Sequence, residues 1–378
     1  MKQNWQIKKV GEVCEVIAGQ SPEGKYYNNE LKGLPFYQGK KEFGEKYIGE
    51  PTTWTTQITK EAEANDILMS VRAPVGPINF STQKICIGRG LAAIRASKLI
   101  DKEFLFYFLL KHENEIVGNA GAVFDSINKS QIEAIEIPVP PLSEQKRIAS
   151  ILDSAFATID RAKANSEQNL QNARELFESY LQSVFENNGE GWEEKTLGEV
   201  IDLVSGQHID SKEYNFKGKG IGYLTGPSDF GVIHPVVSKW TEFPKQSAIK
   251  NDILITVKGS GVGKINLMSE SELCISRQLM AIRAKTVNVS FLYAFLSTKY
   301  YYFQSLSNGA AIPGITRVNV QSLKIKIPPI RHQQVIVQKI NAFSSETKKL
   351  EDIYQAKIND LEELKRSLLK KAFSGELN

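Results

Sequence analysis

Cysteine is almost missing from this 378-residue chain: Cys14, Cys86 and Cys274 are far apart and odd in number. That argues against a disulfide framework or a zinc site and points to a reducing compartment. Long apolar runs are missing too. None approaches the ~20 residues of a membrane-spanning helix, and MKQNWQIKKVGEV at the start has no apolar core of a secretory leader. A cytoplasmic protein without membrane attachment is expected. The four histidines (His112, His208, His234, His332) include no pair at metal-ligand spacing. There is no Gly-x-Ser-x-Gly elbow. There is also no [Asn/Asp]-Pro-Pro-aromatic tetrapeptide of an amino-methyltransferase, since the two Pro-Pro pairs follow Val139 and Ile327. The nearest approach to a phosphate loop is Gly259-Ser260-Gly261-Val262-Gly263-Lys264. Its glycines are one residue too close for a Walker loop, and Ile265 stands where Ser or Thr is needed. The stretch reads as a turn. Neither catalytic residues, a metal nor a resident cofactor is expected on this chain.

What is present is an ordinary globular composition, 41% hydrophobic and 24% charged, with enough apolar material for real cores. The length calls for two or more domains. Net charge is +4 but uneven: residues 1–190 carry −3 and residues 191–378 carry +7. This balance is compatible with nucleic-acid binding without requiring it.

The dominant feature is a repeat. Residues 137–185 begin IPVPPLSEQKRIASIL, and residues 325–373 begin IKIPPIRHQQVIVQKI. An offset of 188 aligns Pro140 and Pro141 with Pro328 and Pro329, Gln145 with Gln333, and Phe185 with Phe373. Each copy lacks Gly and Pro from the Pro pair to Gly189 or Gly375, and reads as one helix of about 60 Å at ~1.5 Å per residue. Ser143 suits the first N-cap. Apolar residues alternate at spacings of four and three, the seam of a coiled coil. In the first helix it runs through Ile148, Leu152, Ile159, Leu176 and Tyr180, with Asn169 as a polar position. In the second it runs through Ile336, Ile340, Phe343, Leu350, Tyr354, Leu361 and Leu364, with Lys357 equivalent to Asn169. Small residues in the middle of one seam and large ones in the other predict that the two helices pack on each other.

The segments before the helices also repeat. WQIKKVGEVCEVIAG from Trp5 matches WEEKTLGEVIDLVSG from Trp192, and Asn65-Asp66-Ile67-Leu68 matches Asn251-Asp252-Ile253-Leu254. Short alternating runs such as ILMSVR and ILITVK read as strands, while FLFYFLLKHENEI and FLYAFLSTKYYYF have helical spacing. Between the matched parts lie divergent polar and aromatic stretches, Gln20–Glu63 and Gln207–Ser247. The expected architecture is α+β: two globular mixed α/β domains (1–142 and 189–330) and two long antiparallel helices (143–188 and 331–378), related by a pseudo-two-fold. The cyclic order places the N-terminus near the C-terminus.

The divergent stretches interleave basic, amide and aromatic residues, a composition suited to phosphate contacts and base-edge readout. Candidate DNA contacts are Lys25, Tyr37, Gln38 and Lys40 in the first, and Lys217 and Lys219 in the second. Arg72, Lys258 and Lys264 flank turns suited to phosphate approach, and Arg317 lies beyond the second. Arg89 and the pair Arg277-Gln278 recur at matched positions after Cys-Ile. An Arg fork fits guanine and a Gln amide fits adenine. The bland alternative is a solvated polar loop. Asp66 and Asp252, which a nuclease reading would take as carboxylate ligands, read as ordinary turn chemistry before a strand.

The repeated order, with Trp5 before Gly11-Glu12-Val13, Pro140-Pro141-Leu142-Ser143-Glu144-Gln145-Lys146-Arg147-Ile148, Trp192 to Val200, Gly259 to Lys264 and Lys371 to Leu377, resembles the specificity subunit of type I restriction–modification enzymes over essentially the whole length. The second Pro-Pro motif departs, with Arg331-His332 where the family has an acidic residue before Gln333. The resemblance implies two target-recognition domains, each reading half of a split double-stranded DNA site. It implies helices that space the half-sites and dock two modification subunits. Those partners carry S-adenosylmethionine and methylate adenine, and motor-nuclease restriction subunits, with ATP and Mg, complete the complex. The alternatives are a single-chain nuclease or methyltransferase with a duplicated DNA-binding domain, which needs a catalytic motif, and a coiled-coil interaction protein without a DNA role.

Overall fold

The computed structural model describes residues 5–118, 126–186, 189, 191–307 and 313–377, with only the helical backbone for 114–118. Residues 119–125 and 308–312, within the loops expected after the aromatic runs, lie outside the described residues. The chain divides into two units. One comprises Met1–Glu167 with Gln355–Asn378, the other Gln168–Tyr354. Each unit therefore holds one globular domain and a portion of both long helices.

In the first unit a four-stranded antiparallel sheet has the order Cys14–Ala18, Leu91–Ala96, Ile67–Ser70, Ile78–Phe80. A five-stranded sheet has the order Tyr27–Asn28, Trp54–Thr55, Leu34–Tyr37, Ile85–Ile87, Glu61–Ala62. Its one parallel pairing sets Phe36 opposite Cys86 and Tyr37 opposite Ile87. Gln6–Lys9 pairs with Glu136–Val139. The second unit repeats all of this. Its four strands are Ile201–Ser205, Leu279–Ala284, Ile253–Thr256 and Ile265–Leu267. Its five are Tyr214–Asn215, Trp240–Thr241, Ile221–Leu224, Glu272–Ile275 and Ser247–Ile249. The stretches that diverge in sequence thus build the same sheet twice, with Tyr-Asn at the same edge strand and Trp-Thr in the strand next to it.

The aromatic run of the first unit lies in a helix, Lys102–Gly118. Phe104, Phe106, Tyr107 and Phe108 are buried in one core with Ile148, Leu152 and Phe156 of the first long helix and Leu369 and Phe373 of the second. Each such side chain contributes about 2 kcal/mol on burial. Trp5 packs on this core and Leu377 is buried in it, so both ends of the chain enter the same packing. The corresponding run of the second unit forms two helices, Val289–Ser297 and Tyr300–Leu306, rather than one. IEAIEIPV and QSLKIKIP begin beside short helices, Lys129–Glu133 and Arg317–Gln321, before their strands Glu136–Val139 and Lys324–Ile327.

The long helices run Leu142–Glu186 and Ile330–Ser374, 45 residues each. The first begins at Leu142, ahead of the expected Ser143 cap. Gly375, at φ +81°, ends the second in the left-handed conformation, and Glu376 N–H returns to Lys371 O at 3.0 Å. Within each unit the helix portions are antiparallel. Ion pairs join Asp160 to Lys365 and Lys163 to Glu362 in the first, and Phe177 and Tyr180 meet Phe343 in the second. Large faces large there, toward the ends of the seams; small facing large was expected for their middles.

The seam departs from a strict heptad. Ile148, Leu152, Ile159 and Ile340 are buried as expected, and Ile336, Phe343, Tyr180, Tyr354 and Leu361 are half-buried. Leu176, Leu350 and Leu364 are exposed, as are Asn169 and Lys357. Alternate seam positions stay covered: Leu152, Ile159, Ser166 and Ala173 are buried at seven-residue spacing on the first helix, and Ile340 and Thr347 on the second. The buried polar residues are Ser166 and Thr347, whose hydroxyls donate back to Ala162 O and Phe343 O.

The repeated glutamines explain the Pro-Pro motif. Gln145 is fully buried; it accepts from Asp101 N–H at 2.7 Å and donates to Pro140 O at 2.8 Å. Gln333 accepts from Asn288 N–H at 2.8 Å and donates to Pro328 O at 2.8 Å. Each ties the turn before a long helix to the start of an aromatic helix.

Candidate nucleic-acid interface

In each unit the chain crosses from the five-stranded to the four-stranded sheet through a three-residue corner. In the first unit it is Gly88-Arg89-Gly90, between Ile85–Ile87 and Leu91–Ala96. In the second it is Ser276-Arg277-Gln278, between Glu272–Ile275 and Leu279–Ala284. The corner leaves both arginines exposed. Their surroundings are set by backbone bonds. Gly88 N–H donates to Tyr37 O, Gly90 N–H to Gln38 O and Val71 N–H to Gly90 O. Arg89 N–H donates to Ser21 Oγ at 3.2 Å, and the Ser21 hydroxyl donates to Gln38 Oε1 at 3.0 Å. Exposed Gln38, Arg72 and Arg89 thus gather at one end of the two sheets, and Lys40 follows Gln38 on the turn Lys40–Glu42.

The second unit builds the same end with other residues. Ser276 N–H donates to Leu224 O, and Val257 N–H donates to Gln278 O at 2.8 Å, which brings exposed Lys258 beside the corner. Where the first unit has Gln38-Gly39 opposite Gly90, the second has Thr225-Gly226 opposite Gln278. A Cβ on Gly226 would lie 2.5 Å from Gln278 Oε1, so the glycine leaves room for the amide. The amide comes from opposite loops in the two units, beside an arginine in both.

Other candidates sit elsewhere. Tyr37 is buried, its hydroxyl donates to Gly49 O at 2.9 Å, and burial pushes its phenol up to about 12. It is a core residue, because inward positions of the strand Leu34–Tyr37 face the sheet interior. Arg317 donates to Ser205 Oγ at 2.9 Å and Leu203 O at 3.1 Å, so its fork anchors a short helix to a strand edge. Lys217 and Lys219 are exposed on the loop that closes on Asn215 Oδ1, at the end of the strand Ile221–Leu224 away from Thr225. Lys25 pairs with Glu23 at 2.7 Å. Lys264 is exposed beside a cleft of ≈ 330 Å³ lined by Pro227, Phe230 and Tyr300.

Gln20 and Gln207 were missed, although Gly-Gln recurs after the first strand of each four-stranded sheet. Both are exposed, and their N–H groups donate to Ile87 O and Ile275 O beside the corners. The preceding glycines are required by close approach. A Cβ on Gly19 would meet Gly88 O at 2.2 Å, and one on Gly206 would meet Ser276 O at 2.1 Å.

The paired carboxylates are structural. Asp66 accepts from Arg95 Nε and Nη2 at 2.9 and 2.7 Å and from Glu63 N–H at 2.8 Å. Asp252 is bound in the same way by Arg283 and Ile249 N–H. Among the described residues no cluster of His, Cys, Asp and Glu is placed to hold a metal, and no helix is long and apolar enough to cross a membrane.

Two equivalent frames, each presenting a different set of basic and amide side chains at the same corner, define a duplicated recognition protein. The model of the type I restriction modification DNA specificity domain matches residues 2–172 and again residues 189–362, and the chain belongs to that family. A Methanocaldococcus jannaschii chain named as a type I restriction enzyme MjaX specificity subunit is 43% identical over 171 residues, 44% of this chain and 40% of that one. The type I restriction enzyme MjaIX specificity subunit of the same organism is 23% identical over 99% of this chain and 94% of its own. Among solved structures, a chain from a study of complex assembly and conformational transition of the type I R-M system has the same fold. Its TM-score is 0.86 at 24% identity, over 100% of this chain and 99% of that one. The chain is thus a specificity subunit with two recognition domains, and it does not itself carry the chemistry.

Proposed function

We infer that this chain is the DNA-recognition and scaffold subunit of a type I restriction–modification complex, with each globular domain reading one half of an asymmetric bipartite target. The carrying observation is the pair of equivalent corners with unlike residues: Gln38, Arg72 and Arg89 in one, Lys258, Arg277 and Gln278 in the other. Arg89 and Arg277 reach base edges, as do Gln38 and Gln278, while Lys40, Arg72, Lys258 and Lys264 contact phosphates. The long helices set the unread spacing.

The helices also dock two modification subunits. Two apolar grooves occur at repeat-equivalent places. One, in the first unit, is lined by Ile151, Ala155, Leu364 and Leu368. The other, in the second unit, is lined by Lys339, Ala342, Phe343 and Tyr180. The same groove twice fits two copies of one partner, and exposed Leu176 and Leu364 occupy equivalent positions beside them. S-adenosylmethionine, and the ATP and Mg used by restriction subunits, are held by those partners and not by this chain. Cytoplasmic location follows from this role.

Mapping methylated adenines in cells that express this chain with its modification subunit tests the reading. An asymmetric split motif is expected. Exchanging residues 20–135 for those of a relative changes one half-site only; a change in both halves overturns the modular reading.

A further inference from the structure

The two long helices are joined by ion pairs whose polarity is not what the repeat requires. In the first unit Lys163 Nζ lies 2.7 Å from Glu362 Oε1. In the second, Arg174 Nε lies 3.4 Å from Glu351 Oε2. The 188-residue offset makes position 163 equivalent to 351, and 174 equivalent to 362. One inter-helix contact therefore occurs once in each unit, and the first helix supplies the base both times. Two faithful copies of one helix would instead have alternated base and acid between them.

This choice makes no difference to pairing of the first helix with the second. It matters for the wrong pairing. Two copies of the first helix, placed antiparallel in the same geometry, set Lys163 against Arg174. Two copies of the second set Glu351 against Glu362. The Asp160–Lys365 ion pair of the first unit carries the same information, since its repeat equivalents are Lys348 and Phe177. A pair of second helices brings Lys348 against Lys365, and a pair of first helices brings Asp160 against Phe177.

We propose that this charge pattern selects the pairing partner: the seam of the first long helix accepts the second long helix, from its own chain or from another copy, and rejects a copy of itself. A duplicated chain needs such a rule. Its two helices descend from one repeat, and exchange of like elements is an easy route to unwanted assembly. Flanking charges decide partner and orientation in paired helices, and discrimination rests on repulsion in the wrong pair as much as on attraction in the right one. Each exposed pair contributes little alone. The preference adds up because a wrong pairing loses both attractions and meets like charges at each contact. The inference does not depend on the DNA role of the chain.

The test uses full-length chains. Variant A carries Lys163→Glu and Arg174→Glu, variant B carries Glu351→Lys and Glu362→Lys, and variant C carries all four. A and B each set like charge against like at both contacts. Their unfolding equilibrium constants should rise roughly fivefold or more, and C should return to within about twofold of the parent. Differently tagged A and B, expressed together, should form a one-to-one complex by exchanging helices, read by native mass spectrometry. Parent chains expressed together should not. If A and B fail to accumulate, recovery of soluble, cooperatively folding C supports the proposal. A variant C no better than A or B overturns it, as does an A-with-B mixture that exchanges no more than the parent.

Discussion

The guanidinium of Arg283 closes two hydrogen bonds of 2.9 and 2.8 Å on the buried carboxylate of Asp252, and Arg95, 188 residues earlier, does the same to Asp66, 186 residues before Asp252. In both units the acid starts a central strand, after an asparagine at φ near +72°, and the base lies on the neighbouring strand. The carboxylate holds each guanidinium above its ordinary value through these bonds. Asp252→Asn keeps the shape but removes the charge. It should lower stability by about 2 kcal/mol, the scale of a hydrogen-bonded buried charge, and leave the methylated motif unchanged. Thermal melting and motif mapping check both. A variant that folds as the parent but loses modification would return these carboxylates to a catalytic role.

Gln145 and Gln333 make a second matched pair. Each fills a site with a carbonyl on one side and an amide N–H on the other. Substitution by Ala leaves those buried groups unpaired, at about 1–3 kcal/mol each. Gln145→Ala and Gln333→Ala should each lower the melting temperature, and their effects should add, since the two sites share no contact partners. Calorimetry on the singles and the double variant measures this.

The frame was legible because it is written twice. Trp5 and Trp192, the Asn-Asp turns and the Pro-Pro-to-helix motif survive duplication because each has a structural partner to satisfy. The recognition surface was legible only in part. Arg89 and Arg277-Gln278 stood out by matched position, whereas Tyr37 looked like surface because it lies among lysines. A four-residue strand is too short to show its buried face by alternation, and the parallel pairing of Tyr37 with Ile87 joins segments fifty residues apart. The shared sheet of the divergent stretches was hidden for the same reason: the two strands at one side of it are two residues long, and only Tyr27-Asn28 with Tyr214-Asn215 and Trp54-Thr55 with Trp240-Thr241 mark it. On the helices, the heptad reading failed at Leu176, Leu350 and Leu364, which are exposed, while the alternate seam positions Leu152, Ile159, Ser166 and Ala173, and Ile340 and Thr347, are buried.

The corners predict how specificity divides. Arg89→Ala should relax one half-site, and Arg277→Ala or Gln278→Ala the other. Each lost bidentate contact is worth about 1–3 kcal/mol of discrimination. Lys258→Ala should instead weaken binding to all sequences alike and reduce the dependence of log affinity on log salt by about one charge. Binding of the assembled complex to duplexes with single base changes, repeated at several salt concentrations, separates the two behaviours. An Arg89→Ala complex with an unaltered site preference would remove that corner from the reading surface.

Leu176 and Leu364 are equivalent through the repeat, and both are exposed, at 52% and 45%. The covered positions of the seam are others, Ser166 and Ala173 on the first helix and Ile340 and Thr347 on the second. Leu364 lines the groove of the first unit beside Leu368, and Leu176 lies four residues before Tyr180, which lines the groove of the second. An exposed leucine replaced by Glu changes stability by less than about 0.5 kcal/mol. Leu176→Glu and Leu364→Glu should therefore melt as the parent does, yet each should cost the complex one modification subunit, and the double variant both. Native mass spectrometry of the co-expressed complex counts the subunits. Full occupancy in the double variant would move the docking surface elsewhere, while loss of both subunits in a single variant would show that the two grooves do not act separately.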